Sequence, residues 1–343
     1  MKKSVYGLLL IYVGMVFLSS IQGIPNENNI EIDNVPQLSS YTVLDHRVHI
    51  NDNWTETKAV YSWITGNGTQ SDPYIIDNIS IDMRNFPNYT FCSVIGVCED
   101  YTGPAIIIEN TVNYFIIQNS IISYAGGYHI PTSGIFINDA RNGILLNNTF
   151  YHDYRGIYIR DSEFIQVLNN TIFGAHYEPF YGKGDAIRVY DSIDITIQHN
   201  YIEDHYSGIV VRNAAKNIIV DNNTIINYVY GSTTTSERGI FFKFVNNSAI
   251  TNNTLFGMAI TEHIPESSSL LRTSDNNNNM IQLDECYNIL VAGNKFYDEN
   301  GVLIVSDDSV NDGVDSIPGF LLSIAAFISI ITTVIIIQKI RKR

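Results

Sequence analysis

The sequence predicts an all-β fold, a right-handed parallel β-helix of about 22-residue coils, followed by a C-terminal transmembrane helix. Three observations predict the solenoid. A short strand recurs as AIIIEN at Ala105, GIFIND at Gly134, GIYIRD at Gly156, AIRVYD at Ala186, GIVVRN at Gly208 and GIFFKF at Gly239, with MIQLDE at Met280 and GVLIVS at Gly301. The strand starts are separated by 29, 22, 30, 22, 31, 41 and 21 residues. The shortest spacings are too small for a βαβ unit and suit one turn of a solenoid. After each of the first seven starts an apolar stretch ends in Asn, at Asn119, Asn148, Asn170, Asn200, Asn223, Asn253 and Asn294. The offset is fourteen residues, except fifteen at Asn223.

The pattern within one coil has a physical reading. Side chains alternate across a strand, so Ile157 and Ile159 of GIYIRD point inward while Tyr158 and Arg160 point outward. The inward pair is expected to stack on Ile135 and Ile137 before it and on Ile187 and Val189 after it. The recurring Asn is expected to turn its amide inward as a ladder along the axis, pairing corner backbone groups that burial would otherwise leave unsatisfied. Such a coil cannot bury its own apolar side, so only the stack is stable.

The ends differ from this frame. Residues 1–23 carry Lys2 and Lys3 before an apolar run and small residues, the pattern of a signal peptide. Residues 24–73 are expected to cap the solenoid, which occupies 74–305 with YIIDNISID at Tyr74 as an irregular first coil. Residues 306–318 form a short acidic stalk. Residues 319–338 hold an uncharged apolar run of membrane-spanning length, and 339–343 form a basic cytoplasmic tail, which leaves the large domain extracellular. The whole chain has a net charge of −15, and the exported part alone reaches about −21 because the two ends hold six of the twenty Lys and Arg. That balance disfavours nucleic acid as a partner. Of the three cysteines, Cys92 and Cys98 are close enough to close a small disulfide loop, and no metal-ligand spacing occurs.

These features resemble the right-handed β-helix repeat proteins of the pectate-lyase-like superfamily, in particular NosD-type β-helix domains. The resemblance covers residues 66–305 and rests on the GIxI starts, the NNT corners at Asn147, Asn169, Asn222 and Asn252, and the lead-in GNGTQSDPYIIDNISI at Gly66. It implies the fold, while the superfamily spans lyases, hydrolases, epimerases and non-catalytic binding domains. NosD is linked with copper delivery, but no Cys, Met and His cluster occurs here to carry that role over. Pro318, Gly319 and Phe320 with the span behind them also look like the PGF-type anchors of archaeal surface proteins. The threonine-rich stalk and PGFG core of that family are missing.

Residues beyond the 22-residue unit fall after the Asn corner and before the next strand, which predicts a wall of loops beside the GIxI sheet. The outward residues facing that groove are Phe136, Tyr158, Arg160, Arg188, Tyr190, Arg212, Phe241 and Lys243. Aromatic faces stack on sugar rings and guanidinium forks match carboxylates or sulfates, so an extended acidic polysaccharide or surface glycan is the expected partner. The simpler alternative is that these side chains pair with neighbouring acids. For catalysis the candidates are Asp153, Asp185, Asp204 and His205, near the starts of consecutive coils. Asp153 and Asp204 could approach the carboxylate separation of an inverting glycosidase. A lyase would instead use an Arg or Lys base, and Ca²⁺ is the one cofactor compatible with that chemistry, though none is required. A structural or adhesion role is the third reading. Nine sequons, at Asn53, Asn67, Asn78, Asn88, Asn147, Asn169, Asn222, Asn246 and Asn252, offer N-glycosylation sites on an exported chain, while several of the NNT copies also follow from a corner that favours Asn beside Thr; Asn169 is expected to face outward.

Overall fold

The computed structural model describes residues 41–86, 103–125, 133–174, 184–226, 238–256, 281–297 and 302–306. The expected signal peptide, the Cys92–Cys98 pair, the transmembrane span and the basic tail lie outside them. Among the described residues no helix is long and apolar enough to cross a membrane.

Each coil contributes a strand to three parallel sheets. The first sheet stacks Val48–Asn51, Ile106–Thr111, the start of Ile135–Leu146, Ile157–Arg160, Asp185–Tyr190, Ser207–Arg212, Arg238–Lys243 and Ile281–Asp284. The second runs from Tyr74–Asp77 through Phe115–Gln118, the end of Ile135–Leu146, Glu163–Leu168, Ile193–Gln198, Ile219–Asp221 and Asn246–Thr251 to Tyr287–Ala292. The third is made of strands of three or four residues, among them Thr149–Tyr151, Thr171–Phe173, Tyr201–Glu203 and Thr224–Ile226. Ile157 pairs with Ile135 and Ile187, and Ile159 with Ile137 and Val189, in the register the alternation requires. All six are fully buried. A continuous Ile and Val column fills the solenoid because like residues repeat at like positions in every coil.

Two boundaries differ from the sequence expectation. Val48–Asn51 is a strand of the first sheet, paired with Ile106–Thr111, so the solenoid begins inside the segment read as a cap. Its short VHIN pattern alternates buried and exposed residues, but four residues are too few to stand out without a repeat partner. The helix Trp54–Val60 follows it and buries Trp54 against Tyr74 and Phe115. At the other end GVLIVS does not open a new coil of the first sheet. Leu303–Ser306 turns back antiparallel onto Lys295–Tyr297 of the third sheet, which ends the parallel stack.

The Asn ladder runs through the corner between the second and third sheets. The Asn148 N–H donates to Asn170 Oδ1 at 2.9 Å, and the same geometry links Asn170 to Asn200, Asn200 to Asn223, Asn223 to Asn253 and Asn253 to Asn294. Each Nδ2 also donates to a buried carbonyl, such as Leu145 O from Asn170 and Val167 O from Asn200. Asn119 is not part of it. The coil from Ala105 holds one more residue between Thr111 and Phe115 than the next coil holds between their partners Ala140 and Gly143. That shift puts Ser120 at the ladder position, its N–H on Asn148 Oδ1, and leaves Asn119 outside, donating to Asp77. A second, shorter ladder supports the corner between the first and second sheets, where the Ser162 N–H donates to Ser192 Oγ and the Ala140 N–H to Ser162 Oγ.

Candidate functional site

The first sheet presents two outward rows. One runs Phe136, Tyr158, Arg188, Val210, Phe241, Gln282 and the other Asn138, Arg160, Tyr190, Arg212, Lys243, Asp284. All eight expected groove residues therefore fall on two adjacent lines of one face. Their exposure is not what the alternation implies. Phe136, Tyr158 and Phe241 are only 7%, 5% and 3% exposed, so they offer no open aromatic face. Phe136 and Tyr158 pack on each other with centroids 5.2 Å apart. Pointing away from the solenoid core does not make a side chain exposed, and sequence alternation cannot tell the two apart.

The polar residues of the same face converge around one carboxylate. The Arg188 Nε–H donates to Asp185 Oδ2 at 2.6 Å, and a second guanidinium nitrogen reaches the same oxygen. Arg155 Nε lies 3.9 Å from that oxygen. Arg155 stands at the strand start one coil earlier, beside Asp185 in the stack because Gly156 and Ala186 share a register. Asp185 and Arg155 are both buried. Burial lowers the Arg155 guanidinium below its ordinary range, and the neighbouring Arg188 lowers it further while Asp185 opposes. Arg212, two coils from Arg160, is lowered by burial first and then by Arg188. Its guanidinium lies over the Phe241 ring at 4.9 Å, and its Nε–H finds no hydrogen-bond acceptor among the described residues. Burial also raises the Tyr158 hydroxyl, against the pull of Arg188, Arg160 and Arg155. Arg188 and Arg155 thus share one buried aspartate, Arg212 lies near enough to feel Arg188, and the face keeps an excess of positive charge in an acidic chain.

The outer line is paired in part. Arg160 bonds Asp161 at 3.0 Å, Lys243 bonds Asp284 at 2.5 Å, and Asn213 donates to the Tyr190 hydroxyl. Asp284, Gln282, Val210 and Asn213 belong to this face and were not picked out from the sequence. Gln282 and Asp284 sit in the weakest copy of the repeat, MIQLDE, whose register became certain only through pairing with Ile240–Lys243.

The remaining catalytic candidates do not join this cluster. Asp153 lies at the corner between the third and first sheets and is 0% exposed. Its Oδ1 accepts the Ala125 N–H at 2.5 Å, closing the turn of the preceding coil, while Oδ2 has no hydrogen-bond partner among the described residues. Burial raises its carboxyl well above the ordinary range. Asp204 is one register position away: it occupies the corner site that His152 and Gly174 fill in earlier coils, left-handed as His152 is. His205, the next residue, stacks in the column of Asp153 rather than on the first sheet. Both are buried. Asp204 acts on His152, whose pKa is lowered by burial and by Arg84 and raised in part by Asp204. The expected facing pair of carboxylates, Asp153 and Asp204, is therefore not formed, because a one-residue offset turns Asp153 into the interior. Among the described residues no three His, Cys, Asp or Glu side chains gather to hold a metal ion.

Comparisons with known proteins agree with this architecture. The family described as "right handed beta helix region" matches residues 66–225, and "periplasmic copper-binding protein (NosD)" matches residues 180–314. No curated protein matches the chain. Among solved structures it is similar to the surface protein and adhesin PfbA of Streptococcus pneumoniae, at 15% identity over 65% of this chain and 66% of that one, with a TM-score of 0.43. It is also similar to DFA-IIIase from Arthrobacter chlorophenolicus A6, at 17% identity, 57% and 42% coverage and a TM-score of 0.39. The Dettilon tailspike protein is a third, at 14% identity, 58% and 44% coverage and a TM-score of 0.40. The chain spans about two fifths of the DFA-IIIase chain. The two family matches, laid on the parallel register, support a right-handed β-helix family.

Proposed function

We propose that this chain is a cell-surface module that binds an extended, acidic polysaccharide or glycan along the outer face of its first sheet. The observation that supports this is the pairing of Arg155 and Arg188 with the single carboxylate of Asp185, with Arg212 on the same face one coil on. Buried like charges repel, and a carboxylate or sulfate brought in by a ligand would relieve that repulsion while filling guanidinium forks that match it. Coils about 4.8 Å apart repeat the outward rows along the axis, so one extended chain can meet several of them. The apolar ring edges and Val210 would serve as a floor under the sugars rather than as open stacking platforms. The C-terminal run of 319–338 would hold the module at the membrane with its large domain outside.

A hydrolase or lyase in the same groove is the less favoured reading. Asp153 is sealed inside the corner and Asp185 is engaged by two arginines, so neither is placed as a free acid or base. The test titrates the whole chain with neutral, uronic and sulfated polysaccharides, with and without Ca²⁺, and assays reducing-end release in parallel. Binding to an acidic polymer without release is expected. Arg188→Gln and Arg212→Gln should each weaken it about tenfold, the loss of one charged hydrogen bond. Equal affinity for neutral polymers, or no effect of either substitution, would remove the arginine cluster from the account.

A further inference from the structure

The corner between the second and third sheets carries a feature that ladder chemistry does not explain. Just before each ladder residue the chain passes through a left-handed position, at Asn78, Asn119, Asn147, Asn169, His199, Asn222, Asn252 and Gly293. Eight successive coils line these residues up as one row. Asn147, Asn169, Asn222 and Asn252 are exposed and Asn78 is half-buried. Asn tolerates a positive φ, so its presence alone needs only a conformational reason.

The residue two positions later does need another reason. It lies at the start of these short strands of the third sheet, second in Ile79–Asp82 and first in the others, and the paired register runs Ser80, Ile121, Thr149, Thr171, Tyr201, Thr224, Thr254, Lys295. The strand accepts Ile, Tyr and Lys there as well as Ser and Thr. Yet where the corner residue is His199 or Gly293 the strand opens with Tyr201 or Lys295, and Ser or Thr follows only where Asn precedes. Five of the six Asn coils have it, all except Asn119. No hydrogen bond ties Asn147 to Thr149 or Asn222 to Thr224, since Asn147 donates to Asn119 and Asn222 meets His199. Ser or Thr thus occurs in this row only where Asn precedes it, with Asn119 the one Asn that lacks it, and neither Asn147 nor Asn222 is bonded to its Thr in a way that would couple the two. An Asn-x-Ser/Thr acceptor couples them.

We infer that this row is a ridge of N-linked glycosylation, at Asn78, Asn147, Asn169, Asn222 and Asn252. The reaction joins each Asn Nδ2 to the anomeric carbon of an oligosaccharide. The donor is a polyprenyl-phosphate-linked sugar; its carbon–oxygen bond to phosphate breaks, and the amide proton leaves with the phosphate product without any redox change. The fold is suited to the result. In the described coils from Thr149 on, two residues separate the second-sheet strand from the third-sheet strand, so nothing is inserted beside the row. The inner ladder is made by the next residue, so a sugar on the outer Asn leaves every ladder bond in place. Three sheets meet at three corners, and the corner joining the second and third lies across the solenoid from the first. Glycans here would clothe the back of the molecule and leave the arginine face open. The inference requires export but not the ligand proposed for that face.

The experiment secretes the full chain from an N-glycosylating host and maps occupancy by peptide mass spectrometry after enzymatic release of glycans in ¹⁸O water. Glycan is expected on the ridge asparagines. Replacing Thr149, Thr171, Thr224 and Thr254 together by Val should remove it from Asn147, Asn169, Asn222 and Asn252 and leave Asn78 occupied, with an intact mass lower by those four glycans. Valine is β-branched like threonine, and every corner Asn is kept, so an unchanged thermal transition of the deglycosylated proteins should show that the fold survives. Ridge asparagines left bare while Asn53, Asn67 or Asn246 carry glycan would overturn the inference, as would a secreted chain with no glycan at all or a valine variant of unchanged mass. Failure of polysaccharide binding would not bear on it.

Discussion

Two corners of the same coil obey opposite rules. The corner between the second and third sheets repeats with two residues, an outer left-handed one and an inner ladder Asn, and its buried amides are all paired. The corner between the third and first sheets varies in length from coil to coil and contains buried Asp153, Asp204 and His205, with the Arg155–Asp185–Arg188 cluster at the strand starts beyond it. The first corner is neutral and self-satisfying, and it repeats because each coil must pair the backbone of its neighbours. The second concentrates ionisable groups that cost stability when buried and are unmatched by simple repetition. In this solenoid the regular corner carries architecture, and the irregular one holds ionisable groups that repetition does not pair.

Four substitutions test this contrast. The largest effect is expected for Asp185→Ala, which leaves Arg155 and Arg188 facing each other without their shared counter-charge. A loss of about 3–5 kcal/mol is expected from breaking a buried ion pair on one side. Chemical denaturation measures it, and an acidic oligosaccharide should restore part of the loss; a change near zero would mean that the arginines are solvated. Next, Asn200→Ala strips the Asn170 N–H and the Val167 carbonyl of their partners at once. Unpaired buried groups of this kind cost roughly 1–3 kcal/mol each, so about 3 kcal/mol is expected. Asn119→Ala is the matching control. It lies outside the ladder, and only the positive φ and the bond to Asp77 are affected, so its cost should stay near 1 kcal/mol. Equal losses for the two would undo the register assigned to Ser120.

The last effect has the opposite sign. Burial raises the Asp153 carboxyl, so the folded chain holds this proton more tightly than the unfolded chain. The corresponding stability is fully present below the unfolded value of 3.8 and is lost as pH rises through the raised folded value. Asp153→Asn keeps an oxygen for the Ala125 N–H and has no charge to bury. It should stabilise the protein by about 1–2 kcal/mol at pH 7, a few degrees in Tm, and by much less at pH 3.5. A thermal melt series across pH reads both. A gain independent of pH would show that Asp153 is not the titrating group.

Sequence alone determined the parallel solenoid, the inward Ile and Val columns, and the ladder from Asn148 to Asn294. Each is a property repeated in every coil, so one weak copy is corrected by the others. The same reasoning placed Phe136, Tyr158, Arg188, Arg212 and Lys243 on one face, because alternation along a strand is local. Only the tertiary structure decided what that face is. An extra residue after Thr111 moved the ladder from Asn119 to Ser120, and a one-residue offset turned Asp153 inward while Asp204 took the left-handed site. Burial of Phe136, Tyr158 and Phe241, and the meeting of Arg155 with Asp185 across thirty positions of chain, depend on which coil lies beside which. Periodicity specifies the direction in which a side chain points, whereas its neighbours and its access to solvent are set by the stack as a whole.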